Sequence, residues 1–408
     1  MFNKSKTMLT LSLATVALAS CGASSDVDTG DGEARVTSIS SEEHGTFNRP
    51  WAADFIPGTS VLVVTEKGGQ VKAYDTATGE VMDITGAPNV DFGGQGGLGD
   101  VAFLKSEAGA EIGTRTIYLT WAEAGSGDTR GAVMGKGVLD CTGDDGCAIR
   151  DLEVVWQQTP KVTGRGHYSH RIAFAPDGEH LFLTSGDRQK MEPAQDNTNT
   201  IGTIVRLNLD GSTAQGNPFA DQGSPTDQIW SYGHRNLLGI AFDTERQLWD
   251  VEHGPAGGDE LNLVKPGQNY GWPTVSDGEH YNGDPIPDHD TAPSFAKYAI
   301  TWTPVIAPGD MIVYRGDLFS GWKGDALIAG MASRGLVQVE LDGEQANEIA
   351  RHDLGERIRA VVEGPDGALW VLEDGEEAKL LKLTPANWAG HCLVAQSDFS
   401  IDSALLRA

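Results

Sequence analysis

After its first two dozen residues the 408-residue chain has no apolar run near the ~18 residues that a membrane-spanning helix needs. A bundle of membrane-spanning helices is therefore excluded. Basic residues are scarce, 30 Lys and Arg against 58 Asp and Glu, giving a formal net charge of −28. That balance argues against nucleic acid as a partner and against electrostatic adhesion to anionic lipid, and its plain meaning is solubility. It also makes any cluster of arginines conspicuous. Cysteine is rarer still, with 4 in the chain. Cys141 and Cys147 flank the turn-like TGDDG, no partner pair follows at metal-ligand spacing, and Cys392 stands alone. No stretch has the period of a long amphipathic helix, whereas 52 glycines suit a turn-dense all-β chain.

What is there begins with MFNKSKTMLTLSLATVALASCGASSDV: two early lysines, a short apolar run, then small residues. This is the pattern of an export signal. Leu18-Ala19-Ser20-Cys21 resembles the bacterial lipobox, which implies a diacylated Cys21 at a new N-terminus. The expected layout is a lipoprotein signal at 1–20, a flexible tether at 21–40, a folded domain at 41–390 and a tail at 391–408. Gly22 follows the cysteine where an aspartate commonly retains lipoproteins at the inner membrane, so the expected address is the outer membrane, facing the periplasm. An oxidising compartment permits a disulfide, and Cys141–Cys147 is the local candidate.

One theme recurs along the domain: apolar strand, turn, second strand. HRIAFAPDGEHLFLTSGDR shows it most plainly, with Pro176-Asp177-Gly178 as the turn former. Taking Phe55, Phe103, Phe174, Phe242, Val313 and Val362 as equivalent points, the steps are about 48, 71, 68, 71 and 49 residues. Six units follow, each a little large for a four-stranded blade, with loops absorbing the excess. The expected fold is all-β, a six-bladed β-propeller with four-stranded antiparallel blades. A pair of β-sandwiches is the rival, weakened by a single theme running through the whole chain. In a propeller, loops from distant blades converge on a central channel, so the charged ends of residues 163–188 become candidates for its mouth.

Seven stretches, GGQGGLGDVAF, GHYSHRIAFAPDG, TSGDR, WSYGHRNLLGIAFD, EHGPAGGDELNLVKPGQNYGWP, WTPVIAPGDM and RIRAVVEGPDGALWVLED, occur in order between about residues 50 and 385. Together they resemble the soluble pyrroloquinoline quinone (PQQ)-dependent sugar dehydrogenases, of the aldose and glucose/sorbosone dehydrogenase family. The resemblance implies oxidation of an aldose at C1 with PQQ and Ca²⁺ as cofactors and an external electron acceptor. It assigns the base to His167, whose residue type titrates near working pH, and its orientation to Asp187. Arg235 and Asn236 match the cofactor pair, with the arginine near the quinone carbonyl that gains charge. Arg357 and Arg359, two apart and so on one face of a strand, suit the carboxylates of a tricarboxylate cofactor. Gln95 matches a residue reaching cofactor and sugar, and Trp302 falls in the stretch expected to line the cleft. One calcium is implied on the main-chain oxygens of Gly254 and Pro255, and a second, away from the chemistry, on Glu260 and the carbonyl of Tyr270.

The chain also departs from the pattern. Ser333 stands where glucose-oxidising relatives have a cofactor lysine, leaving Arg334 as the nearest cation. His170 replaces a usual glycine, and His253 a glutamine of some relatives, changes that bear on sugar selectivity. Two other readings compete. A calcium-dependent propeller lactonase would hold its metal with carboxylate and Asn side chains and would not need the Arg357/Arg359 pair. A cofactor-free propeller acting as a binding module would lack a base at the channel mouth.

Overall fold

The computed structural model describes residues 35–143 and 146–386. They form six sheets, each of four antiparallel strands. Every sheet has an inner strand: Pro50–Phe55, Leu98–Phe103, Ser169–Phe174, Leu237–Phe242, Pro308–Val313 and Ile358–Glu363, defining blades one to six. The inner strands neighbour one another in chain order and the sixth returns to the first, so the sheets close into a six-bladed propeller. Phe55, Phe103, Phe174, Phe242 and Val313 each end an inner strand, and Val362 is one residue short of the end of its own. The long steps arise from blade two, with strands Thr114–Ala124, Arg130–Gly143 and Gly146–Gln157, and from the long segments before Thr203–Asn208 and Ile300–Trp302.

The core lies between blades, because strands covered on both faces bury both sets of alternating side chains. In blade one, Val61, Val63, Val71 and Ala73 pack against blade two, while Leu62, Val64 and Tyr74 pack against blade six. In blade three, Leu181, Leu183, Val205 and Leu207 meet blade two, and Phe182 and Ile204 meet blade four. Each buried Val, Leu, Ile or Phe among them contributes roughly 1.5–3 kcal/mol by leaving water. Cys141 and Cys147 are disulfide-bonded across the end of the blade-two hairpin.

The ring is closed by Ile39–Phe47, which pairs antiparallel with Ala378–Pro385 as the outer strand of blade six. Residues 35–40, assigned to the tether by sequence, thus belong to the fold: Arg35 pairs with Asp325 at 3.0 Å, and Trp322 Nε1 donates to the Val36 carbonyl. The reason is closure: the backbone hydrogen bonds between Ile39–Phe47 and Ala378–Pro385 tie the first segment of the domain to its last and complete the fourth strand of blade six. The export signal 1–20, Cys21, the tether up to residue 34 and the tail 391–408 with Cys392 lie outside the described residues.

Candidate active site

All six inner strands break register near their first residues, at Pro50/Ala52, Leu98/Val101, Ser169/Ile172, Leu237/Gly239, Pro308/Asp310 and Ile358/Ala360. A bulge bends a strand and re-aims its side chains, so this end of the channel is the one at which loops turn inward. Blade three is the most contorted. His167, Ser169 and His170 all take left-handed backbone, with φ of 45°, 58° and 60°. Such conformations cost of order 1–3 kcal/mol each and persist only where the surroundings hold them. Thr120 Oγ1 does so by donating to the His170 carbonyl at 2.9 Å. Gly186 allows the close approach on the other side, since a Cβ there would lie 2.2 Å from the His167 carbonyl oxygen.

This backbone brings His167 and Asp187 together, with Nδ1 2.7 Å from Oδ1. Asp187 also accepts from Trp272 Nε1 and from the Gln189 amide, both at 2.8 Å. With Trp272 and Gln189 donating to the carboxylate as well, Asp187 Oδ1 is placed to take Nδ1–H of the imidazole, which leaves Nε2 as the free acceptor atom. Gln95 fixes the dyad from blade two: its Oε1 accepts the His167 amide at 2.7 Å.

A cavity of about 330 Å³ opens over the dyad, and Gln95, His167, Arg235, Asn236, Arg357 and Arg359 line it as expected. Its charge runs against that of the chain. Arg357 and Arg359 divide one carboxylate, Asp374, which takes 2.9 Å bonds from Arg357 on Oδ2 and bonds of 2.7–2.9 Å from Arg359 on Oδ1. The Arg235 guanidinium has no carboxylate partner among the described residues, although its backbone amide donates to Glu252 Oε2 at 2.6 Å. Its Nη atoms donate to the His253 carbonyl and to the Tyr281 hydroxyl at 3.0 and 3.2 Å, and its Nε is buried without a partner. Burial and then the nearby arginines, Arg171 and Arg235 respectively, push His170 and His253 down to about 3, so both are neutral at ordinary pH.

Behind this cavity lies the Gly254-Pro255 turn. The Gly254 amide donates to Asp259 Oδ1 at 2.9 Å, and a Cβ on Gly254 would fall 2.2 Å from the carbonyl oxygens of Gly257 and Gly258. Only glycine permits this fold-back of main-chain oxygens. Next to it is a void of about 10 Å³, room for a single ion or water, bordered by Glu252, Glu260, Tyr270 and His289. Glu252 and Glu260 sit directly opposite each other across paired strands and are both buried. Burial first, and then Glu252, hold the Glu260 carboxyl well above its usual range. A cation would remove that repulsion, so the surroundings of Glu260 suit the calcium expected there.

Two expected residues are elsewhere. Trp302 packs in the core between blades four and five and donates to Glu348 at 2.6 Å, because its strand is the outer one of blade four, Ile300–Trp302. Arg334 is half exposed and faces Glu356 at 3.6 Å, since its left-handed backbone (φ 56°) turns it out of the hairpin. Sequence reading missed Trp272, Tyr281, Glu252 and Lys67, all of which border the site. The EKGG turn after a strand was the one available signal for Lys67. No carboxylate and Asn cluster of the lactonase type faces the cavity among the described residues; the grouped His234, Asp250 and Glu252 are buried inside blade four.

Fold and site together define a six-bladed propeller with a hydrogen-bonded histidine–aspartate pair at an arginine-lined channel mouth. Residues 47–382 match the glucose/sorbosone dehydrogenase family, and the chain belongs to it. It is 33% identical over 346 residues to the aldose sugar dehydrogenase YliI of Escherichia coli (strain K12), covering 84% of this chain and 91% of that protein. The crystal structure of the soluble aldose sugar dehydrogenase from Escherichia coli in the apo form matches with a TM-score of 0.79 at 32% identity, over 85% of this chain and all of that one. The PQQ-bound aldose sugar dehydrogenase from Streptomyces coelicolor matches with a TM-score of 0.68 at 25% identity, over 86% and 99% of the chains. The protein is accordingly an oxidoreductase, a sugar dehydrogenase of the PQQ propeller family.

Proposed function

We propose that the protein is a PQQ- and Ca²⁺-dependent aldose dehydrogenase that oxidises the C1 hydroxyl of a sugar to the lactone. The observation that carries this reading is the His167–Asp187 dyad, at 2.7 Å, opening onto a cavity rich in arginine within a chain of net charge −28. PQQ, when bound, supplies an ortho-quinone able to accept hydride, and calcium supplies Lewis-acid polarisation. Arg357 and Arg359 would hold cofactor carboxylates in the geometry that Asp374 already imposes on them. Arg235, with its unpartnered Nε, would face the oxygen on which charge develops. The backbone of Gly254 and Pro255 would hold the catalytic ion, and Glu260 with the Tyr270 carbonyl the other.

The work of the chain itself is proton transfer. His167 Nε2 takes the C1 hydroxyl proton while Asp187 on Nδ1 stabilises the imidazolium that forms. Tyr281, 78% exposed beside Arg235, offers a flat face to an incoming sugar ring. Neutral His170 and His253 line the cavity and would shape sugar selectivity without competing as cations. We extend the proposal to location: an acylated Cys21 tethers the enzyme to the periplasmic face of an outer membrane, where it meets diffusing sugars and an external electron acceptor. The test is to add PQQ and calcium to the purified protein and follow the cofactor spectrum before and after an aldose. Absence of cofactor binding, or a bound cofactor that no aldose reduces, overturns the reading.

A further inference from the structure

We propose that Lys67, on the turn that ends the second strand of blade one, is a cofactor-carboxylate ligand, replacing the cation this chain lacks at Ser333. The inference rests on the PQQ reading and assigns a residue to it.

Lys67 follows the strand Val61–Glu66 and lines the same cavity as His167, Gln95, Arg235 and Arg359. Its backbone is held at both ends: its amide donates to the Arg49 carbonyl at 2.9 Å and its carbonyl accepts the Leu98 amide at 3.0 Å. The glycine at 97 exists partly for this contact, since a Cβ there would lie 2.2 Å from the Lys67 carbonyl oxygen. The ammonium donates to the Gly94 carbonyl at 3.1 Å, next to the Gln95 that anchors the base. It therefore sits at a built position.

Charge accounting sets Lys67, with the Arg235 guanidinium, apart from the Arg357/Arg359 pair. Asp374 is shared by Arg357 and Arg359, so much of their charge is already met. Lys67 makes no ion pair among the described residues; a neutral carbonyl is its partner. Burial, then Arg359, lower its pKa, and the more distant Asp374, already bound by the two arginines, opposes them only in part. Meanwhile Ser333 Oγ is buried without a partner, and Arg334, facing Glu356 at 3.6 Å, does not line this cavity. An acidic ligand entering this mouth meets Lys67 as a cation with no anion of its own.

The test is PQQ affinity in the presence of calcium, read by fluorescence quenching of the full chain, for wild type, Lys67→Met, Lys67→Arg and Arg334→Ala. Thermal midpoints without PQQ report on the fold. Loss of a charge-assisted bond to a carboxylate predicts a Kd raised about tenfold to a hundredfold in Lys67→Met. Lys67→Arg should restore binding to within a few-fold, and Arg334→Ala should bind as wild type. The trimethyl ester of PQQ, whose carboxylates are capped, should bind wild type and Lys67→Met alike. Wild-type PQQ affinity in a folded Lys67→Met, or equal losses of PQQ and its triester, would overturn the assignment while leaving the enzyme reading intact. If wild type itself fails to bind PQQ, both fall.

Discussion

The inner strands run between two unlike channel mouths. At the end where they begin, six bulges and a run of left-handed residues gather His167, Gln95, Arg235 and the Arg357/Arg359 pair. At the end where they finish, Phe103, Phe174, Phe242 and Val313 line a larger cavity of about 640 Å³ with Asp100, Asp310 and Arg171 at its base. Arg171 divides the two. It stacks on Trp51 at 4.0 Å, pairs with Asp100 at 3.1 Å, lies 3.6 Å from Asp310, and donates to the carbonyls of Leu238 and Gly309. One arginine on blade three thereby ties down blades one, two, four and five. The comparison teaches that cavity size does not locate chemistry. The larger mouth has its central cation already matched by two carboxylates, whereas the smaller one holds cations that outnumber their counter-charges.

The largest effect should come from the near mouth. His167→Ala should retain PQQ binding but lose on the order of 10²–10⁴-fold in sugar turnover, since that is what a positioned base contributes. Near-normal turnover would show that another group takes the proton. Next comes the divider: Arg171→Leu should cost about 3–5 kcal/mol, because it leaves Asp100 and Asp310 buried and uncompensated. Denaturant unfolding measures this, and a loss well under that range would mean that water reaches both carboxylates. Arg359→Ala should weaken PQQ binding about tenfold to a hundredfold; unchanged cofactor titration would remove it from the carboxylate clamp.

The two mouths should also respond to acid with opposite signs. His170 titrates at about 3 when folded against 6.5 unfolded, so its contribution to stability is lost as pH falls below 6.5. Burial raises Asp54, at the far mouth, to about 7 from 3.8, so its contribution is present at low pH and lost as pH rises toward 7. Each site has a limiting slope of about 1.4 kcal/mol per pH unit. His170→Asn should flatten the acid side of the wild-type melting profile between pH 6.5 and 4, and Asp54→Asn the decline between pH 4 and 7. Slopes altered in the same sense would break the comparison. The smallest effect is expected far from both mouths: Cys21→Ser should move active enzyme from membranes to the soluble fraction of its cells with catalytic constants unchanged. Soluble wild-type protein with an unmodified Cys21 would end the anchoring proposal alone.

The sequence by itself determined the six blades and the position of each inner strand. These depend on local rules: alternation of apolar residues, turn chemistry such as Pro176-Asp177-Gly178, and a hairpin that returns the chain beside its start. His167, Asp187, Arg235, Arg357 and Arg359 were legible only through the resemblance of their motifs to a family, the last two also through their spacing of two, and the structure gathers them at one mouth. Only the tertiary structure decided which loop residues reach the mouth. Trp302 lay in the right motif but on an outer strand, and Arg334 was turned outward by its own backbone. Lys67, Trp272 and Tyr281 came in from other blades, and the ring took in residues 35–40. The reason is physical. Strand and turn signals extend over a few residues, whereas the direction of a loop is set by bulges, by glycines that admit close approach, and by closure between segments more than 300 residues apart, Ile39–Phe47 and Ala378–Pro385.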